Sequence, residues 1–96
     1  MTTHECIEIL KQAGPYIKEK YEVKSMSLFG SLARGTNTED SDVDLYIDMP
    51  PKVLLLVMLG DYLEELLGTP VDLVRSSTTL RPFLLKEIER DGITIF

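Results

Sequence analysis

The chain has 96 residues, 44% of them hydrophobic and 27% charged, with a net charge of −6. That is apolar material for one modest core and predicts a single domain over residues 1–96. Sixteen acidic against ten basic residues argue against a surface that grips long nucleic acid by releasing counterions, and the run from Val53 to Leu59 is too short to span a bilayer.

In chain order, Thr2 and Glu5 have the spacing of a capping box, opening a helix whose apolar stripe runs Cys6, Ile9, Leu10, Ala13, Ile17 and Tyr21. Pro15 is expected to kink or split that helix. Cys6, alone and on the stripe, reads as core filler, and His4 as a surface residue with no Cys/His spacing for zinc. A strand is predicted from Lys24 to Phe29, then a turn at Gly30, a short helix over Ser31 to Arg34 closed by Gly35, and a loop of turn formers from Thr36 to Ser41. A second strand covers Asp42 to Asp48. Pro50 and Pro51 end it and preset a helix from Lys52 to Leu67, stopped by Gly68. Pro70 to Val74 forms a third strand, Leu80 to Arg90 a last helix, and Ile93 to Phe96 a terminal strand. Arg75, Arg81 and Lys86 read as solvated charges. The order predicts an α+β (α/β two-layer) fold: a small mixed β-sheet of about four strands, with helices mainly on one face.

Two short motifs carry chemistry. Alternation along a strand puts Asp42 and Asp44 on one face, about 7 Å apart, with Val43, Leu45 and Ile47 on the other. Two such carboxylates repel unless a cation lies between them, and Mg²⁺, which takes oxygen ligands from carboxylates and phosphates, suits the place. An isolated pair of this kind more often marks a polar outer face. Upstream, a strand passing through Gly30-Ser31 into a helix offers free amides at the positive end of the helix dipole, an anion site that a phosphate can approach closely because Gly30 has no Cβ. Arg34 reads equally as a solvated charge or as a ligand of the outer phosphates.

Together, Gly30-Ser31-Leu32-Ala33-Arg34-Gly35 and Ser41-Asp42-Val43-Asp44-Leu45, with ten residues between the Gly-Ser pair and Asp42, resemble the signature of the DNA polymerase beta nucleotidyltransferase superfamily. In particular the chain resembles the minimal nucleotidyltransferase (MNT) proteins. The resemblance implies a nucleotidyltransferase fold and a third carboxylate on a neighbouring strand, for which Asp72 in Val71-Asp72-Leu73-Val74 stands in the expected place. It implies catalysis and metal binding by Asp42, Asp44 and Asp72, nucleotide binding by Gly30, Ser31 and Arg34, two Mg²⁺ ions, and ATP as the donor of AMP. Larger relatives carry domains that bind the acceptor, so a partner protein is expected here. For MNT proteins that partner is a HEPN-type toxin, adenylylated on a tyrosine by its antitoxin. A non-catalytic nucleotide-binding or toxin-masking module, and transfer to a small molecule such as an aminoglycoside in a pocket supplied by a homodimer, are the competing readings. The all-round apolar run Val53 to Leu59 exceeds one core-facing stripe, which reads as a contact surface or as complete burial. With no secretory signal pattern at the N-terminus, a cytoplasmic location is expected.

Overall fold

Apolar and polar residues alternate along the strands, which sorts the sheet into one face that must be covered and one that can meet solvent. The computed structural model describes residues 1–77 and 82–96. Its elements are α1 (Thr3–Tyr21), β1 (Ser25–Phe29), α2 (Gly30–Arg34), β2 (Val43–Asp48), α3 (Val53–Leu67), β3 (Val71–Arg75), α4 (Pro82–Asp91) and β4 (Ile93–Thr94). The four strands form one sheet in the order β3-β2-β1-β4. β1 lies antiparallel to both β2 and β4, whereas β3 is parallel to β2. A parallel neighbour cannot be reached by a tight turn, and α3 supplies the crossover. The result is the mixed α+β sheet that the sequence predicts.

The register explains the layers. Met26 opposes Ile47, Leu28 opposes Leu45, and Leu45 and Val43 lie beside Leu73 and Val71, so one face is a continuous apolar surface. On it pack Cys6, Leu10 and Ile17 of α1 and Leu59, Leu63 and Leu67 of α3. The buried Cys6 thiol is pushed up to about 11 by desolvation, which leaves no thiolate at neutral pH and fits a packing role. The capping box is formed: the Thr2 side chain accepts from Glu5 N at 3.1 Å while Glu5 reaches back to Thr2 N.

Pro15 does not split the first helix, which runs unbroken from Thr3 to Tyr21. Gly14 explains part of that tolerance, since the proline ring clashes with the Cβ of the residue before it and glycine has none. The bare Cα of Gly14 also receives the Phe96 ring, so a Cβ there would lie 3.2 Å from Phe96 Cδ2. The terminal strand is shorter than expected, Ile93–Thr94 instead of Ile93 to Phe96, although Met26 N still donates to Phe96 O at 3.1 Å. Asp42 stands one residue before β2 and not within it. The predicted start of the last helix at Leu80 and Arg81 lies outside the described residues. No helix among the described residues is long and apolar enough to cross a membrane.

Helix α4 belongs to the other side. Its Ile88 and the strand residue Phe29 are both buried yet stand apart from the main core, and Phe29 shares its face with Asp44. Helices α1 and α3 thus pack on the apolar face, and α4 packs against β1 and α2 on the aspartate side. Leu45 is fully buried at the centre of the covered face. Leu45→Ala should lower unfolding free energy by about 2–5 kcal/mol in urea denaturation, the range for a leucine lost from a packed core; a loss under about 1 kcal/mol would contradict this placement of the core.

Candidate functional site

The site begins at the end of β1, where Phe29 pairs with Asp44 across the strands and the chain turns at once into α2. Gly30 makes that turn with φ +77, a left-handed conformation that side chains disfavour. A second constraint acts on the same atom. A Cβ at Gly30 would run into the Asp44 carboxylate, standing 2.9 Å from its Cγ. Glycine is therefore required both by the backbone and by the neighbour. The first amides of α2, beginning with Gly30 and Ser31, have no partner within the helix, and no side chain caps them. Ser31 is half-buried, and its carbonyl accepts from Thr36 N at 3.0 Å, which with Gly35 at φ +74 closes the five-residue helix.

The loop that follows is a compact turn. Thr38 N donates to Ser41 Oγ at 2.9 Å and Ser41 N returns a bond to Thr38 O at 3.1 Å. This knot delivers Asp42 to the mouth of β2, and Val43 N donates to Pro70 O at 3.0 Å to start the parallel pairing. In that pairing Asp44 and Asp72 are direct partners. Two carboxylates on adjacent strands and one face are about 5 Å apart at the backbone, with Asp42 two residues away on the same side. Asp44 is half-buried, whereas Asp42 and Asp72 are exposed.

The electrostatic consequence falls on Asp44. Burial first, then the charges of Asp72, Asp42 and Glu87, push its carboxyl up to about 6, while Arg34 pulls the other way. The charges of Asp72 and Asp42 thus penalise an ionised Asp44, and three acids so placed, all offering oxygen, form a donor set that suits a hard divalent cation such as Mg²⁺. Among the described residues no group of three or more His, Cys, Asp or Glu side chains is already arranged to hold a metal ion. The backbone register brings the aspartates together, but their side chains do not yet converge.

Arg34 has other company. Its Nη1 lies 3.4 Å from Glu87 Oε1 and 3.3 Å from Asp91 Oδ2, so the arginine bridges α2 to two carboxylates one turn apart on α4. Neither acid was legible as a site residue. The i, i+4 spacing of Glu87 and Asp91 was visible, but nothing in a sequence says that this face of α4 meets α2, 53 and 57 positions away. Arg75, read as a solvated charge, is instead half-buried and donates to Met49 O at 3.4 Å, at the end of β3 remote from the aspartates. A cavity of about 250 Å³ opens beside Asp42 between Leu32, Asn37, Ser41, Leu67 and Thr69.

Two outcomes follow from this geometry. Gly30→Ala should displace the Asp44 carboxylate and cost nucleotide-dependent activity roughly 100-fold, the effect of an ångström-scale misplacement, while circular dichroism shows a folded chain; retained activity would remove the close approach as a requirement. In protein stripped of divalent cations, the Asp44 carboxyl should titrate near 6 by NMR, and Asp72→Asn should lower that value. Because the folded carboxyl binds its proton more tightly than the unfolded one, its ionisation between 3.8 and about 6 makes stability fall as pH rises through that window. The fall should be shallower in Asp44→Asn, and an Asp44 midpoint near 3.8 would contradict the crowding.

Comparison with known proteins agrees with the site. A profile of the nucleotidyltransferase domain family matches residues 9–95. A Methanocaldococcus jannaschii protein assigned by name as a protein adenylyltransferase is 44% identical over 96 residues, covering 98% of each chain. The protein adenylyltransferase MntA of Thermococcus cleftensis is 36% identical over 97 residues, covering 99% of this chain and 97% of its own. Among solved structures, one assigned as a minimal nucleotidyltransferase superposes with a TM-score of 0.77 at 33% identity, over 97% of this chain and 95% of that one. The complex of a tri-AMPylated Shewanella oneidensis HEPN toxin with its MNT antitoxin gives 0.66 at 16% identity, over 94% and 71%, a likeness of fold alone. With the family profile matched from residue 9 to residue 95 and 97–98% of its length shared with such relatives, the chain belongs to the minimal nucleotidyltransferase (MNT) family.

Proposed function

We propose that this nucleotidyltransferase moves AMP from ATP to a hydroxyl of a partner protein, a HEPN-type toxin, and serves in the cytoplasm as the antitoxin of that pair. The observation that carries the reading is the side-by-side pairing of Asp44 and Asp72 directly against a Gly30 turn that admits no Cβ. A phosphate cradle and an acid cluster so close together suit a nucleoside triphosphate more than any neutral ligand. The protein adenylyltransferase names of its relatives and the AMPylated toxin held by a protein of the same fold support protein over small molecule as acceptor.

Each group then has a task. The Gly30 and Ser31 amides receive phosphate oxygens at the start of α2, and Arg34, at the end of the same short helix, adds positive charge for the outer phosphates. Asp42, Asp44 and Asp72 would hold Mg²⁺, which when bound neutralises phosphate charge and lowers the pKa of a hydroxyl. Asp72 lies on the edge strand, on the side of Asp44 away from Gly30, so the acceptor hydroxyl enters there and gives its proton to that carboxylate. The acceptor oxygen bonds to the α-phosphorus, the bond from that phosphorus to the bridging oxygen breaks, and pyrophosphate leaves. Catalysis by these residues is positioning and charge neutralisation, with no covalent enzyme intermediate.

With α-labelled ATP, Mg²⁺ and a purified HEPN-type toxin, wild type should label the toxin, and Asp44→Ala should do so at least roughly 100-fold more slowly, as when one transition-state contact is removed. Equal labelling would remove the assignment of these aspartates. Full neutralisation of the toxin by the alanine variant without label would overturn covalent modification as the antitoxin activity.

A further inference from the structure

Helix α3 shows two different surfaces to solvent. The apolar run Val53 to Leu59 is neither wholly core nor wholly contact: Leu59 is fully buried and Leu55 and Leu56 are half-buried against the core, but Val53 is 76% exposed, Leu54 75%, Val57 54% and Met58 46%. These four fall at i, i+1, i+4 and i+5, a two-turn patch pointing away from the protein. One turn further the same face changes character, because Asp61 and Glu65 continue the line of Leu54 and Met58 and are exposed carboxylates. At its other end the patch is bounded by Lys52, whose charge is taken by Glu22 at 2.8 Å. The outward face of α3 is thus apolar for two turns and then acidic, with no free cation beside it on that helix.

Position matters as much as composition. β2 starts at the aspartates and runs away from them for six residues before the chain turns into α3. At about 3.3 Å per residue, β2 puts the first turn of α3 about 20 Å from Asp42, and the helix then runs back over the apolar face of the sheet, opposite the face that carries the aspartates. An occupant on the outward side of α3 has the helix and the sheet between it and the aspartate face. Charge decides which occupant fits. A second copy would bring another net −6 against the first, and a like-charged partner is disfavoured at close range. A basic one is drawn in.

We propose that the outward face of α3 is a docking surface for a partner protein's amphipathic helix, one that places apolar side chains on Val53, Leu54, Val57 and Met58 and Lys or Arg opposite Asp61 and Glu65. This rests on the reading of the chain as an enzyme that modifies a protein, and names how that protein is held: at a surface separate from the chemistry, so that docking and transfer can be broken independently. A helix laid on an apolar stripe by anchors one turn apart is a common mode of recognition.

The experiment uses the full chain and two synthetic helical peptides with the same apolar residues at i, i+3, i+4 and i+7. One is flanked by Lys and Arg, the other by Glu, and binding is read by fluorescence anisotropy. The basic peptide should bind, more weakly as salt rises, and at least tenfold more tightly than the acidic one. Leu54→Glu should lose that binding although it adds negative charge, and Leu54→Ser serves if the glutamate variant fails to fold. Asp61→Lys with Glu65→Lys should reverse the preference between peptides. Equal binding of both peptides, or undiminished binding of the basic peptide to Leu54→Glu and Leu54→Ser, overturns the proposal. So does a dimer of the chain that Leu54→Ser abolishes in sedimentation equilibrium, since the face then belongs to a second copy. Asp44→Ala should bind the basic peptide as wild type does. Failure of AMP transfer with peptide binding intact therefore counts against the proposed activity and not against the docking face.

Discussion

Everything at the functional end of this molecule depends on Asp44 and Asp72 being direct partners on parallel strands. That pairing forces two carboxylates into a spacing they would not choose, and the charge of Asp72 adds to burial, the larger cause, in raising the Asp44 carboxyl. The rest of the sheet makes it tolerable. The opposite sides of the same two strands carry Val43, Leu45, Val71 and Leu73 into the core, so packing on one face holds the acids together on the other. A one-residue slip would bury the acids and expose the leucines, which fixes the register as firmly as any contact at the site itself.

Gly30 transmits the same constraint to the start of α2. Asp44 occupies the space a Cβ would need, and the left-handed turn at Gly30 sends the chain into α2 with its first amides unpaired. The cradle and the acids are therefore one structure with a shared wall. Arg34 joins this unit from the other end of α2, held near it by Glu87 and Asp91 of α4. Those contacts are partly exposed and individually weak, so they hold the guanidinium loosely.

The remote end of the fold follows a different logic. The crossover helix has to return the chain from β2 to β3 and needs only one apolar stripe to do so, yet it carries a second one on its first two turns. The core absorbs Leu55, Leu56 and Leu59 but not their neighbours across the helix. Exposed apolar surface of that kind suits association more than stability.

The motif residues, the order and type of the elements, and the capping of the first helix could be read from the amino-acid order alone, because these depend on local periodicity and on residues close together in the chain. Gly30-Ser31 and Asp42-Val43-Asp44 were legible for that reason. That order could also say that Asp72 stood on a strand, with its inward neighbours Val71 and Leu73. The pairing of Asp72 with Asp44, the collision a Cβ at Gly30 would make with Asp44, and the meeting of Arg34 with Glu87 and Asp91 emerge from the packed fold alone. It also showed an unbroken helix through Pro15, where Gly14 leaves room, and divided the Val53 to Leu59 run between core and solvent. These depend on which face of one element meets another tens of residues away, and strand register and helix orientation are set by the packing of the whole chain, which no local pattern records.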